Sequence, residues 1–279
     1  MSTKGVAIVT GARAGIGRAI ATQLADDGLD VAVNDLDSMR AELAAVAADV
    51  QAKGRRALVV VADVSSEAAV KAMVDEVVLK LGSLDVVSRR LLDGGAADAR
   101  ADVHEMVANA GVLGMTSIVD TTAEEFDRVL AINARGPMLC YKYAAIQMIA
   151  QGRGGRIIGA TSVAGKKACP SAIPYISSKF AVIGMTQGAA LELAKHKITV
   201  NAYAPGVIDT DMWSQAGKVS GIGEDQFKQM TLGHIPMGHA GQPQDVANVV
   251  SFLASEKASY ITGQIRGWWD TPVVNGLAY

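Results

Sequence analysis

Eight residues near the N-terminus, Thr10-Gly11-Ala12-Arg13-Ala14-Gly15-Ile16-Gly17, join a short apolar run to an alanine-rich helical segment that reaches about Asp27. The run, Val6-Ala7-Ile8-Val9, has the continuous apolar character of a strand buried on both faces of a parallel sheet. Glycines in a strand-to-helix turn let the backbone approach a pyrophosphate closely. The helix behind them offers free N–H groups and a positive dipole end. A lone glycine-rich turn is weak evidence, but a second strand follows this one, Val31-Ala32-Val33-Asn34, ending at Asp35. Asp35 lies 18 positions after Gly17, where a dinucleotide-binding fold places the carboxylate that takes the adenosine ribose hydroxyls. Read in isolation it is an ordinary turn aspartate. A carboxylate there repels a 2′-phosphate, which favours NAD over NADP. Arg13 complicates the point: it either reaches a phosphate or is a solvated loop charge.

The alternation continues. A helix is predicted from about Ser38 to Lys53, a strand over Ala57 to Ala62 ending in Asp63-Val64, and a helix over about Glu67 to Leu81. Regular β-α order without repeats or long linkers indicates a single α/β domain, a doubly wound parallel sheet of the Rossmann kind. The 279 residues suffice for one large core, and a composition that is half apolar and 19% charged suits it. A net charge of −2 provides no pull towards nucleic acid or an anionic membrane. No apolar run approaches the ~18 residues of a membrane span, and the N-terminus enters a strand at once, leaving no room for a signal peptide. Two distant cysteines, Cys140 and Cys169, make no disulfide framework and read as buried small apolar residues. The four histidines lack paired metal-ligand spacing, so no metal is expected. The expected compartment is the cytoplasm.

Chemistry is suggested by Tyr175-Ile176-Ser177-Ser178-Lys179, with Ser162 thirteen residues upstream of the tyrosine. Residues four apart share one face of a helix. An ammonium beside a phenol favours the phenolate and lowers a pKa ordinarily near ~10, as acid–base work near neutral pH requires. Alone, the spacing is commonly a half-buried ring beside a solvated charge.

Taken together, these residues make the chain resemble a short-chain dehydrogenase/reductase, and the resemblance runs nearly end to end. The family's glycine motif is matched by Thr10 to Gly17, its adenine-contacting pair by Asp63-Val64 and its N-A-G segment by Asn109-Ala110-Gly111. The resemblance makes Ser162, Tyr175 and Lys179 the catalytic trio and Asn133 the active-site asparagine that holds a water beside Lys179. It makes Pro205-Gly206 the turn that meets the nicotinamide, with Ile208 gripping the carboxamide through its backbone and Thr210 capping the contact. The implied activity is reversible hydride transfer between NAD(H) and a secondary alcohol or ketone, in a homodimer or homotetramer built through helices around 123–150 and 172–195. Ser177 to Val182, the run Ile198 to Gly206 and Met212-Trp213 are most similar to diacetyl/acetoin reductases, the butanediol dehydrogenase branch. A polyol, a 3-oxoacyl thioester or a specialised-metabolite ketone stays open as substrate.

The chain departs from the family pattern twice. Leu84-Asp85-Val86 and Met106-Val107-Ala108 are separated by nineteen residues, Val87 to Glu105, where one strand is expected to run straight into Asn109. The segment has the look of translated intron: Val87-Ser88 can be encoded by GTGAGT, a splice donor, and Glu105 can end in AG. The alternative is a genuine surface insertion. Met106–Ala108 are expected to supply the strand and the insertion to bulge out, leaving the chain impaired or a non-catalytic dinucleotide binder. The second departure is the tail, 265–279. Trp268-Trp269-Asp270 is encoded TGGTGGGA, which one base later reads Gly-Gly, so a frame change after Gln264 is suspected and the last strand is expected to be weakened. Elsewhere, a long helix over about Ala123 to Ala150 is expected to kink at Gly136-Pro137, Gly155 to Thr161 to form the fifth strand, and residues 209–232 to form an irregular substrate lid.

Overall fold

The computed structural model describes residues 3–81 and 103–267. Seven parallel strands form one sheet in the order β3-β2-β1-β4-β5-β6-β7. They are β1 (Val6–Thr10), β2 (Asp30–Asp35), β3 (Ala57–Val61), β4 (Val103–Ala108), β5 (Gly155–Ala160), β6 (Ile198–Ala204) and β7 (Ile265–Gly267). The strand order reverses between β1 and β4, and in open α/β sheets ligands bind at that switch point, beyond the carboxyl ends of the strands.

Helices cover both faces, which is why β1 and β6 are buried along their whole length. On one face lie α1 (Gly15–Asp26), α2 (Arg40–Ala52) and, from the far end of the chain, α9 (Pro243–Ala254). Ile20 and Leu24 of α1 share a buried cluster with Val246, Val250 and Leu253 of α9. The other face carries α3 (Glu67–Lys80), α5 (Gly136–Gln151) and α6 (Ile173–Leu193), whose Met73, Val77, Leu139, Ala144, Met148 and Ala190 pack against β1, β4 and β5. The helices start where the sequence provides caps. Ser66 accepts from the Ala69 amide ahead of α3, and Thr122 accepts from the Glu125 amide ahead of α4 (Ala123–Leu130). The helix α5 stops at Gly152, whose φ of +72° suits a residue without a Cβ.

Four details differ from expectation. The long helix over 123–150 is two helices, α4 and α5, joined by a π-turn at Ala131–Arg135. Pro137 has no N–H to give the Asn133 carbonyl four residues back, so the ladder widens by one residue just before it. The segment 209–232, expected to be an irregular lid, is not irregular: α7 (Asp211–Val219) and α8 (Glu224–Gly233) fill it. They are pinned by the Trp213 indole donating to Thr231 Oγ1 at 3.2 Å and by Lys228 at 5.2 Å from the Trp213 ring. Cys140 is buried, but Cys169 is exposed in the segment ahead of α6.

The fourth concerns β4, which begins at Val103 and so takes its first three residues from the segment expected to bulge. The cost is visible in the register. Val6 of β1 pairs with Val103 and Ala7 with Glu105, a slip of one residue, and Glu105 is driven into the sheet at 5% exposure. Insertion residues 87–102 and tail residues 268–279 lie outside the described residues. The last strand is present but short, with Ile265–Gly267 pairing in parallel with Ala202–Ala204.

Candidate active site

At the switch point the strand ends and their following turns enclose a crevice of about 540 Å³. Its floor is the glycine loop. Gly11 (φ +63°) and Gly15 (φ +52°) adopt left-handed backbone. A Cβ on Gly11 would lie 2.8 Å from Ala110 Cα, and one on Gly17 would run into the Gly11 carbonyl. Glycine is therefore the residue that lets the loop fold onto Asn109-Ala110. The helix α1 opens with no side-chain cap, so the N–H groups of its first turn remain for an incoming acceptor. Gly15 and Ile16 line the same crevice. An anionic phosphate fits this cradle both sterically and electrostatically.

The loop is held from behind. Thr10 Oγ1 accepts from the amides of Asn109 and Ala110, each at 3.1 Å. The Asn109 side chain donates to the Thr10 carbonyl at 2.9 Å and the Gly11 carbonyl at 3.2 Å. Along the crevice from the loop, Asp35 ends β2 with one carboxylate oxygen accepting from the Leu36 amide at 2.9 Å. Its other oxygen is 4.0 Å from the Arg13 guanidinium. Asp63 and Val64 line the same end, although Asp63 also holds the Ser65 amide and hydroxyl, both at 2.8 Å.

The opposite end carries the acid–base groups. Ser162 leaves β5 at its carboxyl edge, accepts from the Ala164 amide at 3.1 Å and is close enough to the Tyr175 hydroxyl to pull its pKa down. Lys179, one turn along α6, is buried at 4% exposure. Its ammonium lies 5.4 Å from the centroid of the Tyr175 ring and donates to the Ala160 carbonyl at 3.0 Å. In the chain alone, burial outweighs the neighbouring charge. It pushes the Tyr175 pKa up, against the pull of Ser162, and pushes Lys179 down to about 8. The lowered phenol expected from the Tyr–Lys spacing is therefore not found in the chain alone, where burial raises it.

Asn133, fully buried in the π-turn, clamps Val112: its Oδ1 accepts from the Val112 amide and its Nδ2 donates to the Val112 carbonyl, both at 2.8 Å. The same Nδ2 reaches Ser178 Oγ at 3.2 Å. Gly111 lies between Asn133 and Lys179, since a Cβ there would meet Asn133 Oδ1 at 3.3 Å and Lys179 Nζ at 3.6 Å. Pro205, Gly206, Ile208 and Thr210 complete the rim, and Val112, Leu113, Met212, Trp213 and Ala216 give it an apolar wall. Every residue given a catalytic or cofactor role from the sequence thus borders this crevice except Asn133, which stands behind Val112. Sequence reasoning missed Tyr203, a wall residue whose hydroxyl donates to Asn109 Oδ1 at 2.7 Å. The signal for it was a hydroxylated ring two residues before the Pro205 turn.

Residues 5–220 match the short chain dehydrogenase family. The chain belongs to that family. It is 48% identical over 259 residues to a short-chain dehydrogenase/reductase of Armillaria gallica, covering 93% of this chain and 92% of the relative. It is 41% identical over 273 residues to a 3-oxoacyl-[acyl-carrier-protein] reductase of Staphylococcus aureus, covering 98% and 97%. Among solved structures, acetoin dehydrogenase from Enterobacter cloacae superposes with a TM-score of 0.79 at 30% identity, over 96% of this chain and 95% of that one. This short-chain dehydrogenase is accordingly an oxidoreductase of the alcohol–ketone type, with a single Rossmann domain.

Proposed function

We propose that the protein interconverts a secondary alcohol and a ketone with NAD(H). The observation that carries this reading is that Ser162, Tyr175 and Lys179 line one end of a crevice whose other end is a phosphate cradle. Bound there, the nicotinamide would supply the hydride acceptor or donor. Gly11 to Gly17 would hold the pyrophosphate, Asp35 the adenosine ribose, Asp63-Val64 the adenine, and Pro205 to Thr210 the nicotinamide side. Ser162 orients the substrate oxygen, and Tyr175 gives or takes its proton. Lys179 holds the ribose and favours the phenolate, and Asn133 ties the site through water to solvent. NAD is preferred because Asp35 presents a carboxylate where NADP has a 2′-phosphate; Arg13, 4.0 Å away, softens the discrimination.

The substrate we favour is a small uncharged diketone or hydroxyketone of the diacetyl/acetoin kind. An apolar wall of Val112, Leu113, Met212, Trp213 and Ala216 suits methyl groups and leaves Ser162 and Tyr175 as the polar contacts at the reacting oxygen. The 41% identity to a 3-oxoacyl reductase keeps an acyl thioester as the second reading. We place the enzyme in the cytoplasm, as a dimer or tetramer through α5 and α6, which leave Met138, Ile146, Ile149, Phe180 and Leu191 exposed.

The test is NADH oxidation with diacetyl, acetoin and a 3-oxoacyl thioester. Tyr175→Phe should lower kcat/KM by about a thousandfold while NADH binding stays within about twofold. Undiminished turnover by that variant would remove the proposed chemistry, and turnover of the thioester alone would replace the substrate.

A further inference from the structure

Among the described residues, Tyr203 is the largest fully buried side chain, at 1% exposure. It lies near the end of β6, level with Ala160 of β5 and Arg266 of β7, two residues before the Pro205 turn. Its hydroxyl donates to Asn109 Oδ1 at 2.7 Å, and the direction of that bond is fixed by what lies beyond it. The Asn109 Nδ2 faces two carbonyls, Thr10 at 2.9 Å and Gly11 at 3.2 Å. Carbonyls only accept, so the nitrogen must face them and Oδ1 must face the phenol. The tyrosine is therefore the donor, and a chain of hydrogen bonds runs from β6 through β4 to the first turn of the glycine loop.

The amide at the middle of this chain is also a wedge. Side chains on Gly11 and Gly17 would meet its Nδ2 at 3.0 and 2.7 Å, so both glycines close around it. Moving the amide moves the loop. We infer that Tyr203 is a positioning residue for the dinucleotide: through Asn109 it sets the shape of the cradle that takes the pyrophosphate. This rests on the cofactor reading above. Removing one oxygen, as in Tyr203→Phe, leaves Asn109 Oδ1 a buried acceptor without a donor and frees the amide to shift.

The inference predicts a loss confined to ligands that carry the pyrophosphate. In Tyr203→Phe, the Kd for NADH and for ADP-ribose should each rise about tenfold, the scale of one lost hydrogen bond. Nicotinamide riboside, which carries no phosphate, should bind as before, and kcat at saturating NADH should stay within about twofold with an unchanged pH profile. A purely structural role would lower the melting temperature without separating the two fragments. Asn109→Asp, which keeps the shape but removes the donors to Thr10 and Gly11, should show the same fragment pattern. It carries the test should Tyr203→Phe not fold. If the wild-type chain binds neither NADH nor ADP-ribose, the cofactor reading fails and this inference with it. If the wild type binds both and the folded variants bind ADP-ribose equally well, only the role of Tyr203 is lost.

Discussion

Burial acts alike on Tyr175 and Lys179: each is pushed towards its uncharged form, the phenol upwards and the ammonium down to about 8. In the chain alone the phenol therefore stays protonated at neutral pH, able to give its proton to a carbonyl, while the lysine loses its charge near pH 8. For ketone reduction, kcat/KM should fall as pH rises through about 8, where the free enzyme loses the Lys179 charge, and a profile flat to pH 10 would overturn this. We propose that the Asp35 carboxylate sets cofactor choice by the same electrostatic reasoning. Its second oxygen faces Arg13 at 4.0 Å, so Asp35→Asn leaves the guanidinium unopposed beside the ribose. The ratio of Kd for NADPH to Kd for NADH should drop at least fivefold in that variant, an effect that 0.5 M salt should weaken.

Among the elements, β4 is the one whose sequence fits its place worst. Glu105 is buried against Ala7 of β1 and Arg156 of β5, and its Oε2 has no partner. Burial pushes its pKa up to about 8, with Asp27 adding to the rise and Arg156 opposing it. The folded state thus holds a proton that the unfolded chain releases near its ordinary pKa of 4.5. Stability should fall as pH rises from about 4.5 to about 8 and change no further from this group above that. Thermal melts across that range should show a decline for the wild type that is much reduced in Glu105→Gln; parallel curves would remove Glu105 as the cause. This strand also shows what was legible in the sequence. The apolar runs of β1, β2, β5 and β6 and the glycine, serine, tyrosine and lysine positions could be read because each carries a local pattern. The carboxylate in β4 could not, because register depends on which segment pairs with β1, and two compete for it by sequence. Tyr203 and the π-turn escaped for a related reason: their roles come from partners far along the chain, Asn109 and the Asn133 contact with Val112.

At the level of the whole molecule, the site is assembled although β4 is strained. Ser162, Tyr175 and Lys179 come from β5 and α6, and the glycine loop from β1. Their mutual geometry depends on the carboxyl half of β4, Met106 to Ala108, which pairs regularly with β1 and β5. The strain sits at the other end of the strand, where the register slips between Val6 and Ala7. Joining Val86 directly to Met106 would put valine in place of Glu105, aspartate in place of His104 and leucine in place of Val103. That exchange removes a buried carboxylate and restores an apolar residue between Ala7 and Arg156. It also shortens the link from α3 to β4 to a length usual for such connections. We propose that residues 87–105 are foreign to the fold, as translated intron would be. A chain lacking them should melt several degrees higher at pH 8 than the full chain. The gain should shrink as pH falls towards 4, where Glu105 is mostly protonated in both states of the long form. Activity per folded molecule should stay within about twofold, so any recovery of turnover comes through the folded fraction. A shortened chain that melts lower at pH 8, or fails to fold where the full chain does, would show instead that the segment is part of the native strand.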